Sequence, residues 1–358
     1  VLAGYEVAAI DAYADAQTLA LCKQVRVVAY DKQGFDANAL LTVLHTLALA
    51  EFNGFVYGSG FEAQPELLNR VAQLLPLIGN GADVVVDVKN PLTFFAALQK
   101  HDIQYPARYD ALANDASNML IKTVGGCGGA HIQDANAGVH QLSDQCYLQQ
   151  KIQGDAVSLL FIANRHGVDS VGFNLQWLSQ AAHAPYRYGG AAGNAELSSA
   201  VKAQLLAAAE KLTREFALRG LNSLDAIVNK DANSEQVYVL EINPRLSATL
   251  DLYSDAQQNL FEKHVQACLG QNFFKQQDTM NPMCKAQAVV YADTDLRINQ
   301  HFVWPDWVKD NPSPLKKTLK IKHGEPVCTV TAEAKMAQAA KVLAQNRAEK
   351  IQQLLKQK

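Results

Sequence analysis

Asp225, in the segment GLNSLDAIV, and Glu241 and Asn243, in VYVLEINPRLS, are the side chains of this sequence best placed to act together on a cation. Sixteen residues separate Asp225 from Glu241, room for two β-strands and a turn. If the segments pair as one hairpin, both carboxylates and the amide line a single sheet face, which is how a protein holds Mg²⁺ on nucleotide phosphates. Plainer roles are open to each alone: a turn residue at Asp225, an ion pair between Glu241 and Arg245, a turn at Asn243-Pro244.

A second candidate lies upstream. MLIKTVGGCGGAHI follows a strand-like run with Gly125, Gly126, Gly128 and Gly129 inside five positions, so that backbone N–H groups can approach an anion closely. The loop lacks the GK[ST] of a Walker A sequence and the GxGxxG pattern, and a ligand-free glycine hairpin is an equal reading. Lys122, just before it, tips the balance toward phosphate. CYLQQKIQGDAVSLLF offers a strand end whose backbone polar groups can read a nucleotide base, with Ile152 as an apolar wall; an exposed strand end is the alternative.

These residues need elements to position them. From Val7 to about Pro106, short apolar runs (EVAAID, VRVVAYD, GFVYGSG, PLIGN) alternate with helical stretches (DANALLTVLHTLALAEF, PELLNRVAQLL, PLTFFAALQK), which predicts a parallel, doubly wound, Rossmann-like first domain. Beyond Pro106, period-two runs joined by polar turns predict an antiparallel sheet, and ELSSAVKAQLLAAAEKLTREFALRG predicts a helix over about 195–219 with Gly220 ending it. The chain returns to strands at AQAVVYAD and EPVCTVTA. A final helix over about 334–355 follows, with Met336, Ala340, Leu343, Ile351 and Leu355 as its apolar positions. The predicted class is α/β and α+β, with units at 1–105, 106–275 and 276–358 and boundaries near His101 to Tyr109 and Gln271 to Pro282.

At 358 residues, 49% hydrophobic, 19% charged and net −3, the chain has the make-up of a multi-domain soluble enzyme with an inter-domain cleft. Mild acidity gives no reason to expect nucleic acid or an anionic membrane as partner, and no window approaches a membrane span. A cytoplasmic location is expected, with small-molecule partners and room for a homo-oligomer. Six scattered cysteines without a CxxC pair predict neither a disulfide framework nor a zinc knuckle. The sequence begins at Val1, as if a strand and helix preceded it, and no signal peptide is visible.

The succession KTVGGCGGAHI, YLQQKIQGDAVSLLF, GLNSLDAIV, VYVLEINPRLSATLD resembles the ATP-grasp superfamily of carboxylate-amine ligases, with EINPR the strongest part. The resemblance implies an ATP-grasp architecture behind a Rossmann-like domain, with ATP and Mg²⁺ or Mn²⁺ as cofactors. It makes Lys122 a phosphate contact and catalytic residue, Gly125 to Gly129 a mobile loop over the phosphates, and Gln149, Gln150, Lys151 and Ile152 the adenine hinge. Asp225, Glu241 and Asn243 become metal ligands, and Arg245 stabilises the transferred phosphoryl group. Lys89, in VVVDVKNPLTFF, is similar to the family's second phosphate lysine. Two positions depart from the pattern: Ala156 stands where many members hold the ribose with glutamate, so that either Asp155 substitutes or the ribose is held otherwise, and Ser223 stands where some carry an arginine.

FVYGSGFEAQPELL and LPLIGN look similar to the tyramine-glutamate ligase type, associated with methanofuran-like and tetrahydromethanopterin-like one-carbon coenzymes. That implies glutamate joined through an acyl phosphate to a tyramine- or tyrosine-like or pterin-linked amine. Gly58, Ser59 and Gly60 would offer backbone donors to a substrate carboxylate, and Arg187 would close over the acceptor; a ligand-free turn and a surface arginine are the alternatives. A nucleotide-binding protein without turnover and an ATP-grasp kinase or carboxylase are the rival functions.

Overall fold

The computed structural model describes the chain apart from residues 2, 32, 51, 113–115, 136–141, 232–233, 254–258, 272–282, 313–317 and 357–358. Its centre is an eight-stranded sheet in which every neighbour is antiparallel. The order across it is Ser234–Asn243, Gly220–Asp231, Asp155–Asn164, Gly167–Leu178, Tyr188–Ala192, Cys284–Tyr291, Pro326–Ala334 and Val308–Lys309. The 276–358 segment thus extends the same sheet as the middle of the chain. The boundary expected near Gln271 to Pro282 falls almost wholly outside the described residues.

Strand Asp155–Asn164 is buried on both faces, and its period-two alternation divides two cores. Leu159, Phe161 and Ala163 face the helix Ser199–Phe216, whose Val201, Leu205, Ala208, Ala209, Leu212 and Phe216 form one helical stripe. Leu160 and Ile162 face the helix Leu260–Cys268 on the other side. The Ser198 hydroxyl caps the first helix by accepting from Val201 N–H. That helix ends at Ala217 in the left-handed conformation, three residues before the predicted stop. Gly220 is needed for a different reason: a Cβ there would lie 2.4 Å from His264 Nδ1 and 2.7 Å from Cys268 Sγ, so glycine lets the second helix close onto the sheet.

The C-terminal helix Ala337–Lys356 also differs from the sequence reading. Its buried stripe is Ala337, Ala340, Ala344 and Ile351, while Met336 and Leu343 are exposed. Small alanines let the helix lie close against the Cys284–Tyr291 and Pro326–Ala334 strands.

A separate four-stranded antiparallel sheet, Arg108–Tyr109, Cys146–Gln150, Met119–Thr123 and Ile132–Asp134 in spatial order, carries Lys122 and the hinge. The N-terminal region pairs Ala8–Asp11 with Gln24–Val27 in parallel and adds a parallel bridge between Phe55 and Leu77. Ala16–Leu21 links the paired strands, Ala37–Leu49, Glu66–Ala72 and Ala82–Lys89 share this region's core, and Pro91–Lys100 turns Phe94, Phe95 and Leu98 into the core of the central sheet. Buried Asn80 ties this region to the central sheet. Its Nδ2 donates to Arg219 O, Asn222 Oδ1 and Pro244 O, and its Oδ1 accepts from Arg219 N–H. All six cysteines are free, and no helix among the described residues is long and apolar enough to cross a membrane.

Candidate nucleotide and metal site

Gly220–Asp231 and Ser234–Asn243 form a hairpin in which Asp225 is the direct partner of Glu241 and Ser223 that of Asn243. Opposed residues of an antiparallel pair project from the same face, so the two carboxylates and the amide meet. A register shift just after Asp225 bends the hairpin there, as β-bulges beside functional sites do. Asn243 Nδ2 donates to Asp225 Oδ2 at 2.9 Å, and Gln176 Nε2 to Asp225 Oδ1 at 3.2 Å.

Lys89 closes this cluster. Asn90 ends the helix Ala82–Lys89 and caps Pro91–Lys100 by accepting from Leu92 N–H, fixing Lys89 at the junction of two helices. From there Lys89 Nζ donates to Glu241 Oε2 and to Asn243 Oδ1, both at 3.0 Å. The donor set fits a hard divalent cation: all three groups offer oxygen, and the buried ammonium already stands in for a positive charge between two of them. Among the described residues no three His, Cys, Asp or Glu side chains form a metal cluster; the third donor is the Asn243 amide.

The electrostatics follow from crowding. Burial, reinforced by the Glu241 charge, raises Asp225 above the usual carboxylate range. Burial would raise Glu241 as well, but Lys89, Lys122 and His131 outweigh it and hold Glu241 below that range. About a third of the Glu241 side chain stays open to the cleft. Lys122, buried on the strand Met119–Thr123, is lowered by burial against the pull of Glu241.

Gly125, Gly128 and Gly129 all have positive φ. The loop is docked at both ends: a Cβ on Gly125 would meet Glu62 O at 2.6 Å and one on Gly129 would meet Tyr186 O at 2.0 Å, while Gly128 O accepts from Tyr188 N–H. A narrow cleft runs from this loop to the hairpin, walled by Lys89, Gly126, His131, Tyr147 and Glu241. Tyr147 and Gln149 share a face of their strand, and Lys122 is the direct partner of Tyr147. Both polar atoms of the Gln149 side chain are buried without a hydrogen-bond partner, as is His131 Nδ1. A ligand bearing donors and acceptors would complete them.

Several predicted residues are otherwise engaged. Gln150 N–H donates to Ala107 O and Lys151 N–H to Asn118 O, so these two amides belong to the ladder, and Lys151 Nζ pairs with Asp134 at 2.8 Å. Ile152 follows the strand end, half-buried. Asp155 is exposed and paired with Lys230 at 2.9 Å. Gly58 and Ser59 lead into Gly60, whose N–H, with that of Phe61, donates to the chain's own Glu62 carboxylate instead of standing free for a substrate. Arg187 is a correction too. It is buried, stacked 3.6 Å from the Tyr291 ring centre, and donates to Ser179 O and Gly324 O, so packing fixes it in place and it is not free to close over an acceptor.

Arg245 Nε donates to Glu62 Oε1 at 2.8 Å, Nη1 to Leu246 O, and Nη2 reaches Asn243 Oδ1 at 3.5 Å. Glu62 overcomes the burial penalty and keeps the guanidinium charged. Sequence reasoning passed over Glu62, Gln176 and His131. Two of them stood inside segments already singled out, GSGFE and GGAHI.

Residues 88–249 match the sequence profile of the ATP-grasp domain family. No curated protein matches the chain in sequence. Among solved structures, biotin carboxylase from Campylobacter jejuni in a β,γ-ATP complex superposes with a TM-score of 0.71 at 12% identity, over 95% of this chain and 84% of that one. The biotin carboxylase domain of 2-oxoglutarate carboxylase from Hydrogenobacter thermophilus, bound to MgADP and bicarbonate, gives 0.69 at 12% identity, over 94% and 83%. The ADP complex of PurK, N5-carboxyaminoimidazole ribonucleotide synthetase, gives 0.66 at 14% identity, over 98% and 92%. The chain therefore has the ATP-grasp fold, with the ATP-grasp domain matched at residues 88–249.

Proposed function

We propose that this chain is an ATP-dependent ligase that activates a carboxylate as an acyl phosphate and passes it to an amine. The observation that carries the reading is the direct cross-strand pairing of Asp225 with Glu241, with Asn243 bonded to the first and Lys89 to the second. Asp225, Glu241 and Asn243 would hold Mg²⁺, which when bound neutralises phosphate charge. Lys122 and Lys89 add positive charge along the phosphates, and the backbone of Gly125 to Gly129 covers them. The hinge from Gln149 to Ile152, with the unfilled Gln149 amide, receives the base.

Phosphoryl transfer calls for positioning and charge neutralisation more than for a protein nucleophile. A substrate carboxylate oxygen bonds to the γ-phosphorus as the bond to ADP breaks, and Arg245, oriented by Glu62, faces the developing charge. An amine nitrogen then bonds to the acyl carbon, inorganic phosphate leaves, and the amine proton passes to solvent. Within this class, the resemblance of FVYGSGFEAQPELL and LPLIGN to the tyramine-glutamate ligase type, and not a free donor at Gly60, is what supports glutamate as donor acid and a tyramine- or tyrosine-like or pterin-linked amine as acceptor, in one-carbon coenzyme synthesis.

A second reading, ATP-dependent carboxylation through bicarbonate, is favoured by the fold likeness to biotin carboxylases. One experiment separates the two: incubate the chain with MgATP and mixed amino acids and amines, follow ADP, and weigh the products. An amide product formed with stoichiometric ADP supports the ligase. ADP release driven by bicarbonate in place of the amine moves the assignment to the second reading, and bound ATP with no turnover on any mixture refutes both.

A further inference from the structure

His131 closes the glycine segment, and its surroundings are built around its ring. A Cβ on Gly126 would lie 2.2 to 2.6 Å from the imidazole atoms Cγ, Cδ2 and Nδ1, so the residue above the ring is glycine because the ring fills that space. The ring forms part of the cleft wall with Lys89, Tyr147 and Glu241. Its Nδ1 is buried and finds no hydrogen-bond partner among the described residues. Burial favours the neutral imidazole, with Glu241 opposing and Lys122 assisting. A neutral ring has one N–H, which the Cys127 backbone of the resting loop holds and a lifted loop would release.

An orphaned buried nitrogen is costly unless something completes it. Here the ring stands between the loop and the acidic hairpin, on the path a phosphate chain must take. A nucleotide in this narrow cleft would lie against Gly126 and the ring beneath it.

We propose that His131 is a nucleotide-binding residue whose Nδ1–H donates to a phosphate oxygen once the glycine loop has lifted from it. The proposal rests on the nucleotide site described above and adds to it a side-chain donor beneath a loop otherwise expected to act through its backbone.

Titration calorimetry of the full chain with MgATP, MgADP and adenosine tests it, on the unaltered protein and on His131→Ala, His131→Asn and His131→Gln. Losing one hydrogen bond to a charged group should weaken MgATP and MgADP by roughly tenfold in His131→Ala. Adenosine affinity should not change. Asparagine, whose amide N–H sits where Nδ1 does, should recover most of the loss, and glutamine, which carries its amide one carbon further out, should not. Equal MgATP affinity in His131→Ala and the unaltered chain overturns the proposal. So does a parallel loss for MgATP and adenosine, or a loss that asparagine fails to repair while melting temperatures stay level. Absence of any MgATP binding by the unaltered chain overturns the nucleotide site itself, a result distinct from those three.

Discussion

Asp225 and Glu241 face each other with opposite displacements: crowding drives the first toward protonation, and neighbouring ammonium groups hold the second ionised. A divalent cation needs both ionised. The sign is fixed: cation binding competes with the proton on Asp225, so MgATP affinity should weaken as pH falls through the raised Asp225 range, and binding should release protons. Calorimetry in buffers of different ionisation enthalpy reads that release, and its disappearance in Asp225→Asn assigns it. Glu62 gives a second residue-scale prediction. Glu62→Gln leaves a buried guanidinium without its counter-charge, which should cost about 3 kcal/mol of stability and slow turnover at least tenfold while MgATP affinity holds. Denaturant titration beside steady-state kinetics separates the two effects. The acidic trio was legible in the sequence because hairpin arithmetic places Asp225 opposite Glu241. The Glu62 partnership was not, because no local pattern links two residues 183 positions apart.

At the scale of elements, the glycine loop is held by shape. Gly129 combines φ +73° with a backbone oxygen 2.0 Å from where a Cβ would stand. Gly129→Ala should therefore displace the loop and weaken MgATP binding by roughly tenfold or more, at a cost of about 1–3 kcal/mol in backbone strain. Calorimetry with limited proteolysis of the loop checks both. The helix over Ser199–Phe216 was readable from its 3.6-residue stripe, but its end was not. Gly220 looks like a stop signal, yet the residue answers to His264 on a helix more than forty positions later. The alanine stripe of Ala337–Lys356 escaped for a related reason. Close helix-to-sheet packing selects small side chains, which a hydrophobicity pattern ranks below Met336 and Leu343.

For the whole molecule, the decisive contact is the Asn80 hub between the N-terminal region and the hairpin that carries the acidic residues. Asn80→Ala would strand the polar groups of Arg219, Asn222 and Pro244 and should cost about 3 kcal/mol, read as a lower urea midpoint. His264 sets the acid limit. Burial lowers it to about 4, while its Nδ1 accepts from Leu221 N–H at the start of the same hairpin. The unfolded chain binds the extra proton, so stability should rise between pH 4 and 6.5 by up to roughly 1.4 kcal/mol per unit. Long-range ties of this kind were invisible in the sequence: LPLIGN was singled out for its resemblance, but nothing in it links Asn80 to partners 139 and 164 positions later, and His264 sits in a segment with no motif of its own.

Lys89 already supplies the acidic pocket with an internal counter-ion. Folding of the resting chain should accordingly be indifferent to chelators, with the same melting temperature in EDTA as in magnesium buffer. A bare divalent ion would have to evict a tethered ammonium before it could settle, whereas one arriving on a triphosphate offers that ammonium a new anion in exchange. Loading should therefore be concerted, metal and nucleotide together, and Lys89→Met should let Mn²⁺ bind alone.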